Sequence, residues 1–189
     1  MSYLTMRELK AIGFRSLGRG VLLSKKCSLF GASLIDLGDY SRIDDFCILS
    51  AGSGGITIGR NVHIACYSSL IGAGAIVIDD FANISSRVAV YSSNDDYSGD
   101  YMTNPTVPSE FTNVTHGPVV IEKHVIVGAG SVILPNVRIG ICSAIGALSL
   151  VKSNCPAFGL YAGVPAKFIR NRPRTVLDLE EAFLGADAP

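Results

Sequence analysis

The sequence predicts an all-β fold in which short strands wind into a parallel β-helix, with a long inserted loop and a short helix near each end. Three observations lead to this prediction. Hydrophobic residues make up 48% of the 189 residues and charged residues only 17%, so the fold must bury aliphatic side chains efficiently. Aliphatic residues recur at every sixth position over long stretches. A segment of about thirty residues near the middle of the chain interrupts this repeat.

The six-residue repeat is clearest from residue 121 onward, where the aliphatic positions are Ile121, Val127, Ile133, Ile139, Ile145 and Val151. Earlier in the chain the same spacing occurs at Leu37 and Ile43, at Ile58, Ile64 and Leu70, and at Ile78, Ile84 and Val90. Six is a multiple of the strand period of two and a poor match to the helix period of 3.6, so the repeat predicts strands. Short strands that turn the same way at each corner stack into parallel sheets.

The fourth position of each repeat is expected to form the corner between two strands. In the clearest stretch this position is occupied by His124, Gly130, Asn136, Cys142 and Leu148. Glycine and asparagine tolerate positive φ, which suits a sharp corner. A β-sandwich, the alternative all-β fold, would show turn signals about every eight to twelve residues without a fixed period of six.

The chain length suits a single domain. Thr5 followed by Glu8 predicts a capped helix within residues 5–12, and the apolar pattern after Pro173 predicts a helix near the C-terminus. We expect an N-terminal helix and lead-in, a first part of the β-helix, an inserted loop, a second part of the β-helix and a C-terminal extension, at residues 1–20, 21–90, 91–118, 119–155 and 156–189.

The composition excludes several classes of protein. The 16 basic and 16 acidic residues balance, which argues against a nucleic-acid-binding protein. Five widely spaced cysteines without a C-x-x-C pair predict neither a disulfide framework nor a structural zinc site. The first ten residues are charged, and no run of about 18 uncharged apolar residues occurs. We therefore expect a cytoplasmic protein that does not insert into membranes.

The repeats are followed by the segment YAGVPAKFIR at residues 161–170. With this combination the chain resembles the hexapeptide-repeat acyltransferases, in particular sugar O- and N-acetyltransferases of the maltose and galactoside acetyltransferase type, over about residues 37–172. The resemblance implies a left-handed parallel β-helix that assembles as a homotrimer with acyl-CoA sites between subunits. It also implies transfer of an acetyl group from acetyl-CoA to a hydroxyl or amino group of a sugar or nucleotide sugar, in the biosynthesis of a surface polysaccharide such as O-antigen or capsule. An antibiotic acceptor is the alternative within the superfamily.

The inserted loop is rich in aromatic, amide and carboxylate side chains, which suit sugar recognition. Aromatic rings stack on apolar sugar faces, while amides and carboxylates hydrogen-bond to hydroxyl groups. The expected acceptor-binding residues are Asn94, Asp95, Asp96, Tyr97 and Asn113. In the family that the chain resembles, a loop at this place reaches across to the neighbouring subunit and covers the acceptor.

Acyl transfer needs a base for the proton of the attacking group and a donor for the developing oxyanion. Relatives often carry a catalytic histidine near the start of the loop, where this chain has Asn94, which cannot act as a base. Among the three histidines, His124 and His63 are therefore the candidate bases, and an aspartate of the loop is the substitute. Backbone N–H groups near Gly128 are expected to stabilise the oxyanion.

The resemblance also implies where the donor lies. The pantetheine arm of CoA is expected along a strand edge lined by small residues, namely Gly128, Ala129, Gly146, Ala147 and Ser149. The phosphates of CoA need local positive charge because the net charge of the chain is zero. The candidates for this charge are Lys152, Lys167, Arg170 and Arg172.

Two further hypotheses come from other functional classes. The γ-type carbonic anhydrases share this coil and bind zinc through three histidines, and this chain has three histidines. Their ligands lie on adjacent turns of an unbroken repeat, whereas the loop separates His63 from His124 here, so we expect no metal. The missing histidine at the start of the loop also raises the hypothesis of an inactive trimeric scaffold.

Overall fold

The structure is a computed structural model that describes residues 2–186. Three sheets of parallel strands surround one apolar core, and the chain passes from one sheet to the next, so it winds as a coil of triangular section. We call the sheets the first, second and third faces in the order in which the chain meets them. The first corner joins the first and second faces, the second corner joins the second and third, and the third corner leads back to the first. The predicted all-β fold, a parallel β-helix, is confirmed.

The strands of each face are short. The first face contains Ser16–Leu17, Ile35–Leu37, Ile56–Ile58, Ile76–Ile78, Val119–Ile121 and Val137–Ile139. The second face contains Leu22–Leu23, Arg42–Ile43, His63–Ile64, Asn83–Ile84, Ile126–Val127, Ala144–Ile145, Gly159–Ala162 and Lys167–Asn171. The third face contains Ser28–Phe30, Ile48–Ala51, Ser69–Gly72, Ala89–Tyr91, Val132–Ile133 and Leu150–Val151.

Equivalent residues of successive turns pair with one another. On the first face Ile56 pairs with Ile76, and Val119 pairs with Val137, which is 18 residues or three six-residue repeats further along. Such pairing places each residue about 4.8 Å from its equivalent in the next turn. Side chains that point the same way therefore form columns that run along the coil.

The aliphatic positions of the repeat form the core, as predicted. Every one of them is at most 2% exposed in the described residues: Leu37, Ile43, Ile58, Ile64, Leu70, Ile78, Ile84, Val90, Ile121, Val127, Ile133, Ile139, Ile145 and Val151. The predicted corner position is also confirmed, because it has positive φ even where the residue is not glycine. The φ angles are 57° at His124, 62° at Asn136, 59° at Cys142 and 56° at Leu148.

The inserted loop leaves the coil at the third corner and returns to the same corner. Its two ends form a short antiparallel pair, Ser93–Asn94 with Thr115–His116, and a 3-10 turn spans Ser109–Phe111. The N–H of Gly117 donates to the carbonyl of Ser92 at 3.0 Å, so the ends of the loop meet. The pairing of Ile76 with Val119 then continues the first face across the insertion.

Both predicted terminal helices are present. The N-terminal helix, Met6–Ile12, starts at Thr5, whose side chain accepts from the N–H of Glu8 in a capping box. The C-terminal helix covers Thr175–Ala186. No helix within residues 2–186 is long and apolar enough to cross a membrane.

The segment YAGVPAKFIR ends the parallel coil by turning back on itself. The strand Lys167–Asn171 pairs antiparallel with Gly159–Ala162 and becomes the last strand of the second face. Gly163, with φ of 108°, lies in the turn between them. The segment that the sequence marked as the exit from the coil is therefore a hairpin that covers its last turn.

Removal of a core side chain tests the burial pattern. We expect Ile84→Ala to lower the free energy of unfolding by about 2–5 kcal/mol, because Ile84 is 0% exposed and the truncation leaves a cavity between stacked turns. Ile169→Ala, at a residue that is 56% exposed on the hairpin, is the matched control and should change it by less than about 1 kcal/mol. Urea unfolding followed by circular dichroism measures both, and equal losses would contradict the assigned inward register.

Candidate active site

The second corner brings the predicted small residues together. Gly128 and Gly146 lie in one column, because the strand residues just before them, Val127 and Ile145, pair in register. Ala129 and Ala147 lie in the adjacent column and are exposed. These four residues, which we call the small-residue strip, form a narrow groove along the C-terminal half of the corner.

The glycines of the strip are required by the packing of the turns. A Cβ atom on Gly128 would lie 2.4 Å from the backbone nitrogen of Ala147, and one on Gly146 would lie 2.8 Å from Cβ of Ala162. Within residues 2–186, the turn N–H groups of Ala129, Ala147 and Ser86 have no hydrogen-bond acceptor. The strip therefore offers a row of free backbone donors beside a surface whose largest side chains are methyl groups.

One expectation about this groove needs correction. Ser149 does not line it, because this residue occupies an inward position, is only 2% exposed and donates its hydroxyl to the carbonyl of Gly146 at 2.7 Å. The N–H of Gly128 itself donates to the carbonyl of Ile145 at 2.8 Å, so the free N–H groups near Gly128 belong to the turn residues that follow it.

His63 lies on the outer side of the second face, in a polar cluster that continues the groove toward the N-terminal turns. Its Nε2 atom is 3.0 Å from Oδ2 of Asp44, and its Nδ1 atom is 3.1 Å from Oδ1 of Asn83. The Nε atom of Arg42 donates to the other oxygen of Asp44 at 2.7 Å. Both ring nitrogens of His63 therefore have hydrogen-bond partners within the chain.

The electrostatics of this cluster centre on Asp44, whose side chain is only 8% exposed. Burial acts to raise the pKa of Asp44, but the hydrogen bonds from Arg42 and His63 together outweigh burial and hold the pKa below its ordinary value. Sequence analysis missed Asp44 and Asn83. Each lies about one turn of the coil from His63, and alignment of whole turns would have shown this proximity.

His124 lies at the first corner, away from the small-residue strip. Its ring stacks on Phe81 with a centroid distance of 5.1 Å, and Nε2 is 2.8 Å from Oε2 of Glu180 in the C-terminal helix. The helix of its own chain thus covers His124, whose side chain is only 9% exposed. Glu180 also pairs with Lys123 at 2.6 Å, so the contact anchors the helix to the coil.

The three histidines lie in three separate places. His63 is on the second face and His124 at the first corner, while His116 is at the base of the loop, where its Nδ1 atom is 2.8 Å from Oγ of Ser93. Within the part of the chain that the structure describes, no three His, Cys, Asp or Glu side chains are grouped as metal ligands. The five cysteines are free thiols.

The predicted acceptor residues all lie in the loop, but they differ in their contacts. Asp96 accepts from the N–H of Ser98 at 2.8 Å and from Nδ2 of Asn113 at 3.1 Å, and the hydroxyl of Ser98 is the largest cause of its lowered pKa. The side chain of Asn94 donates to the carbonyl of Asp95 at 3.0 Å. Asp96, Asn113 and Asn94 therefore help to shape the loop.

Among the five predicted acceptor residues, Asp95 and Tyr97 are the ones whose side chains are free to contact an acceptor. Asp95 is exposed, and its carboxylate has no hydrogen bond or ion pair within residues 2–186. Tyr97 is 87% exposed. A cavity of about 370 Å³ lies in the same loop and is lined by Ser109, Thr112, Asn113, Val114 and His116.

Within a single chain, the loop and the small-residue strip lie apart. The loop leaves the coil at the third corner, which is opposite the second face, whereas the strip lies at the second corner. Lys152, Lys167 and Arg170 are exposed at the C-terminal end of the coil. Of these, Lys167 is nearest to the strip, because it pairs with Ala162, the residue in contact with Gly146.

Comparisons with known proteins extend the likeness over the whole chain. The chain is 54% identical over 183 residues to dTDP-4-amino-4,6-dideoxy-D-glucose acyltransferase from Escherichia coli, which covers 97% of this chain and 95% of that one. It belongs to the hexapeptide-repeat sugar acyltransferases. The family expected from the repeats and the YAGVPAKFIR segment is confirmed, and the protein is an acyltransferase. A comparison with models of protein families gave no match.

Solved structures give the same result for this acyltransferase. AntD, an N-acyltransferase from Bacillus cereus in complex with dTDP and 3-hydroxybutyryl-CoA, is 47% identical with a TM-score of 0.94, over 98% of this chain and 97% of AntD. A mutant of AntD in complex with dTDP-4-amino-4,6-dideoxyglucose and coenzyme A is 46% identical with the same TM-score, over 98% of each chain. AntD therefore shares the fold of this chain, and AntD is an N-acyltransferase.

The polar cluster predicts a pH dependence of the stability of the acyltransferase. The pKa of Asp44 is lowered in the folded state, so its stabilising contribution is fully present above the ordinary value of about 3.9 and is lost as pH falls through the lower folded value. We expect Asp44→Asn to lower Tm at pH 7, and the gap to wild type to narrow below about pH 4. Asp100→Asn, at an exposed loop residue, is the control and should match wild type throughout. A gap that stays constant from pH 7 to pH 3 would contradict the assignment.

Proposed function

We propose that this enzyme transfers an acyl group from acyl-CoA to the 4-amino group of a dTDP-4-amino-4,6-dideoxyhexose. The observation that carries the proposal is the 54% identity along nearly the whole chain to an acyltransferase for dTDP-4-amino-4,6-dideoxy-D-glucose. The AntD complexes, which contain CoA compounds and dTDP or the dTDP-linked amino sugar, support the same pair of substrates. The proposal narrows the sugar acceptor expected from the sequence to a nucleotide-linked amine.

The small-residue strip supports the proposed position of the donor. Pantetheine is a narrow arm with two amides, and Gly128, Ala129, Gly146 and Ala147 leave room for it beside the free turn N–H groups. The exposed Lys167 near the end of the strip is suited to a CoA phosphate, with Arg170 and Lys152 at the same end of the coil. An acetyl group is the donor expected from the sequence, and a 3-hydroxybutyryl group is the alternative that the AntD complex suggests.

A homotrimer is the assembly that we propose for this site. The loop and the strip lie at different corners of one chain, and three coils placed side by side would bring the loop of one subunit to the strip of the next. The loop residues Asn94, Asp95, Asp96, Tyr97 and Asn113 would then cover the acceptor from the neighbouring subunit. The five free cysteines suit a reducing compartment, and we propose a cytoplasmic enzyme that supplies acylated sugar for a surface polysaccharide.

The proposed chemistry is direct attack by the acceptor amine. The amine nitrogen forms a bond to the thioester carbonyl carbon, the carbon–sulfur bond breaks, and CoA leaves as a thiolate. The proton lost by nitrogen passes through a base of the enzyme to this thiolate. Asp95 is proposed to take this proton, because its carboxylate is exposed and unpaired within the described residues, whereas both nitrogens of His63 are occupied and His124 is covered. The free N–H of Ser86 or Ala129 is proposed to stabilise the oxyanion.

A substrate screen tests the proposed function. Purified protein is mixed with acetyl-CoA or 3-hydroxybutyryl-CoA, and CoA release is measured with dTDP-4-amino-4,6-dideoxyglucose, with dTDP-glucose and with an amino sugar that lacks the nucleotide. We expect release only with the nucleotide-linked amine, because the other two acceptors lack the nucleophile or the nucleotide. Turnover of antibiotic amines alone would favour the xenobiotic alternative, and no release from any acceptor would favour an inactive scaffold.

The proposed base is tested by comparison of three aspartates in the same loop. We expect Asp95→Asn to lower kcat/KM by about 10²–10⁴-fold, the usual contribution of a general base. Asp100→Asn should retain wild-type kcat/KM, and Asp96→Asn should mainly lower Tm because Asp96 holds the loop together. If His63→Gln or His124→Gln abolishes transfer while Asp95→Asn does not, a histidine is the base and the assignment to Asp95 is wrong.

A further inference from the structure

We propose that the N-terminal half of the second corner binds the nucleotide of the acceptor, along an exposed strip formed by Lys26, Phe46, Tyr67 and Arg87. This inference rests on the proposed function and names the residues that hold the nucleotide. We call these four residues the nucleotide strip. They occupy equivalent positions in consecutive turns, because the residues two places further on pair in register, namely Ser28, Ile48, Ser69 and Ala89.

The nucleotide strip is an aromatic pair between two cations. The rings of Phe46 and Tyr67 stack with a centroid distance of 5.0 Å, yet these residues remain 45% and 53% exposed. Lys26 lies 5.1 Å from the Phe46 centroid, and Arg87 lies 5.4 Å from the Tyr67 centroid. Because the cations cover the outer ring faces, the exposed ring edges are the surface available to a base. A pyrimidine packed across these edges would bring its diphosphate within reach of the cations.

The charges around the strip favour an anion near Arg87. Nζ of Lys26 is 3.6 Å from a carboxylate oxygen of Asp45, which also accepts from Ser24, so part of the Lys26 charge is neutralised. Arg87 makes its cation–π contact but no ion pair within residues 2–186. Its five N–H donors suit two phosphate oxygens at once. The geometry therefore points to Arg87 as the main diphosphate contact and to Lys26 as a weaker one.

The position of the strip fits an acceptor that meets the donor end to end. Gly130 and Leu148 occupy the same corner position in the turns that follow Arg87, next to Ala129 and Ala147 of the small-residue strip. A thioester that arrives along the small-residue strip would reach the level of Ser86, beside Arg87. From the level of Ser86 the nucleotide strip extends over three further turns toward the N-terminal end of the coil. At about 4.8 Å per turn this is about 14 Å. An extended nucleoside diphosphate has a comparable length.

Nucleotide binding tests the strip separately from catalysis. We measure the Kd of dTDP, thymidine and pyrophosphate by titration calorimetry without CoA. We expect Phe46→Ala and Tyr67→Ala each to raise the Kd of dTDP about 2- to 10-fold, the usual worth of an edge-to-face aromatic contact, and to act on thymidine but not on pyrophosphate. Arg87→Gln should weaken dTDP and pyrophosphate together. The KM for the nucleotide sugar should rise with the Kd, while kcat at saturation and the Kd of CoA stay near wild type.

Tyr40→Ala is the matched control. Tyr40 occupies the equivalent corner position at the first corner, with φ of 58° against 63° at Tyr67, and is 51% exposed. This variant should keep the wild-type Kd for dTDP, because the first corner lies away from the strip. An equal rise in Kd for Tyr40→Ala and Tyr67→Ala would indicate a general effect of corner truncation and would overturn the assignment.

The remaining outcomes separate the strip from the proposed function. If the wild-type protein acylates the nucleotide-linked amine and every strip variant keeps the wild-type Kd for dTDP, the strip is not the nucleotide site. The proposed function then still holds. If the wild-type protein binds dTDP but does not acylate the amine, and the strip variants lose dTDP binding, the nucleotide site is supported and the proposed function is wrong. Light scattering reports the assembly state, and dissociation of Phe46→Ala and Tyr67→Ala into monomers would identify the strip as a subunit contact and overturn the proposal.

Discussion

The register between successive turns is the constraint on which the rest of the structure depends. Each parallel strand of the coil has only two to four residues, and its hydrogen bonds go to the equivalent strands of the neighbouring turns. A slip of one residue would turn every inward aliphatic residue to the surface. The same register that closes the core aligns the outward residues, so the groove, the polar cluster around Asp44 and the stacked pair of Phe46 and Tyr67 all follow from one geometric rule.

This rule explains how the proposed donor and acceptor sites can share a single corner. In the C-terminal turns the corner has Gly and Ala, so the backbone N–H groups are accessible. In the N-terminal turns the next corner position, which is Gly130 and Leu148 in the C-terminal turns, has long aromatic and cationic side chains. His63 joins adjacent turns through Asp44 and Asn83, and His124 contacts the C-terminal helix through Glu180.

Features that recur in every turn of the coil could be predicted from the sequence, whereas contacts outside the repeat could not. The spacing of six identified the buried residues and the corner positions, because both depend on local backbone geometry that recurs in every turn. The partner of His124 could not be predicted, since Glu180 is 56 residues away and belongs to a helix outside the repeat. The internal contacts of the loop were equally hidden, because Asp96 and Asn113 meet through a chain path with no periodicity. Ser149 was misplaced because small size alone does not tell an inward residue from an outward one.

The closed base of the loop has a consequence for how such an enzyme can change. Because Ser92 and Gly117 are hydrogen-bonded and Ile76 pairs directly with Val119, the coil is continuous whatever the chain does between those points. Lengthening an already long loop adds little closure entropy, about 0.6 kcal/mol for each doubling. A foreign loop could therefore be grafted onto this coil without disturbing its core, and new acceptors could be recruited while the surface for the acyl donor is inherited unchanged.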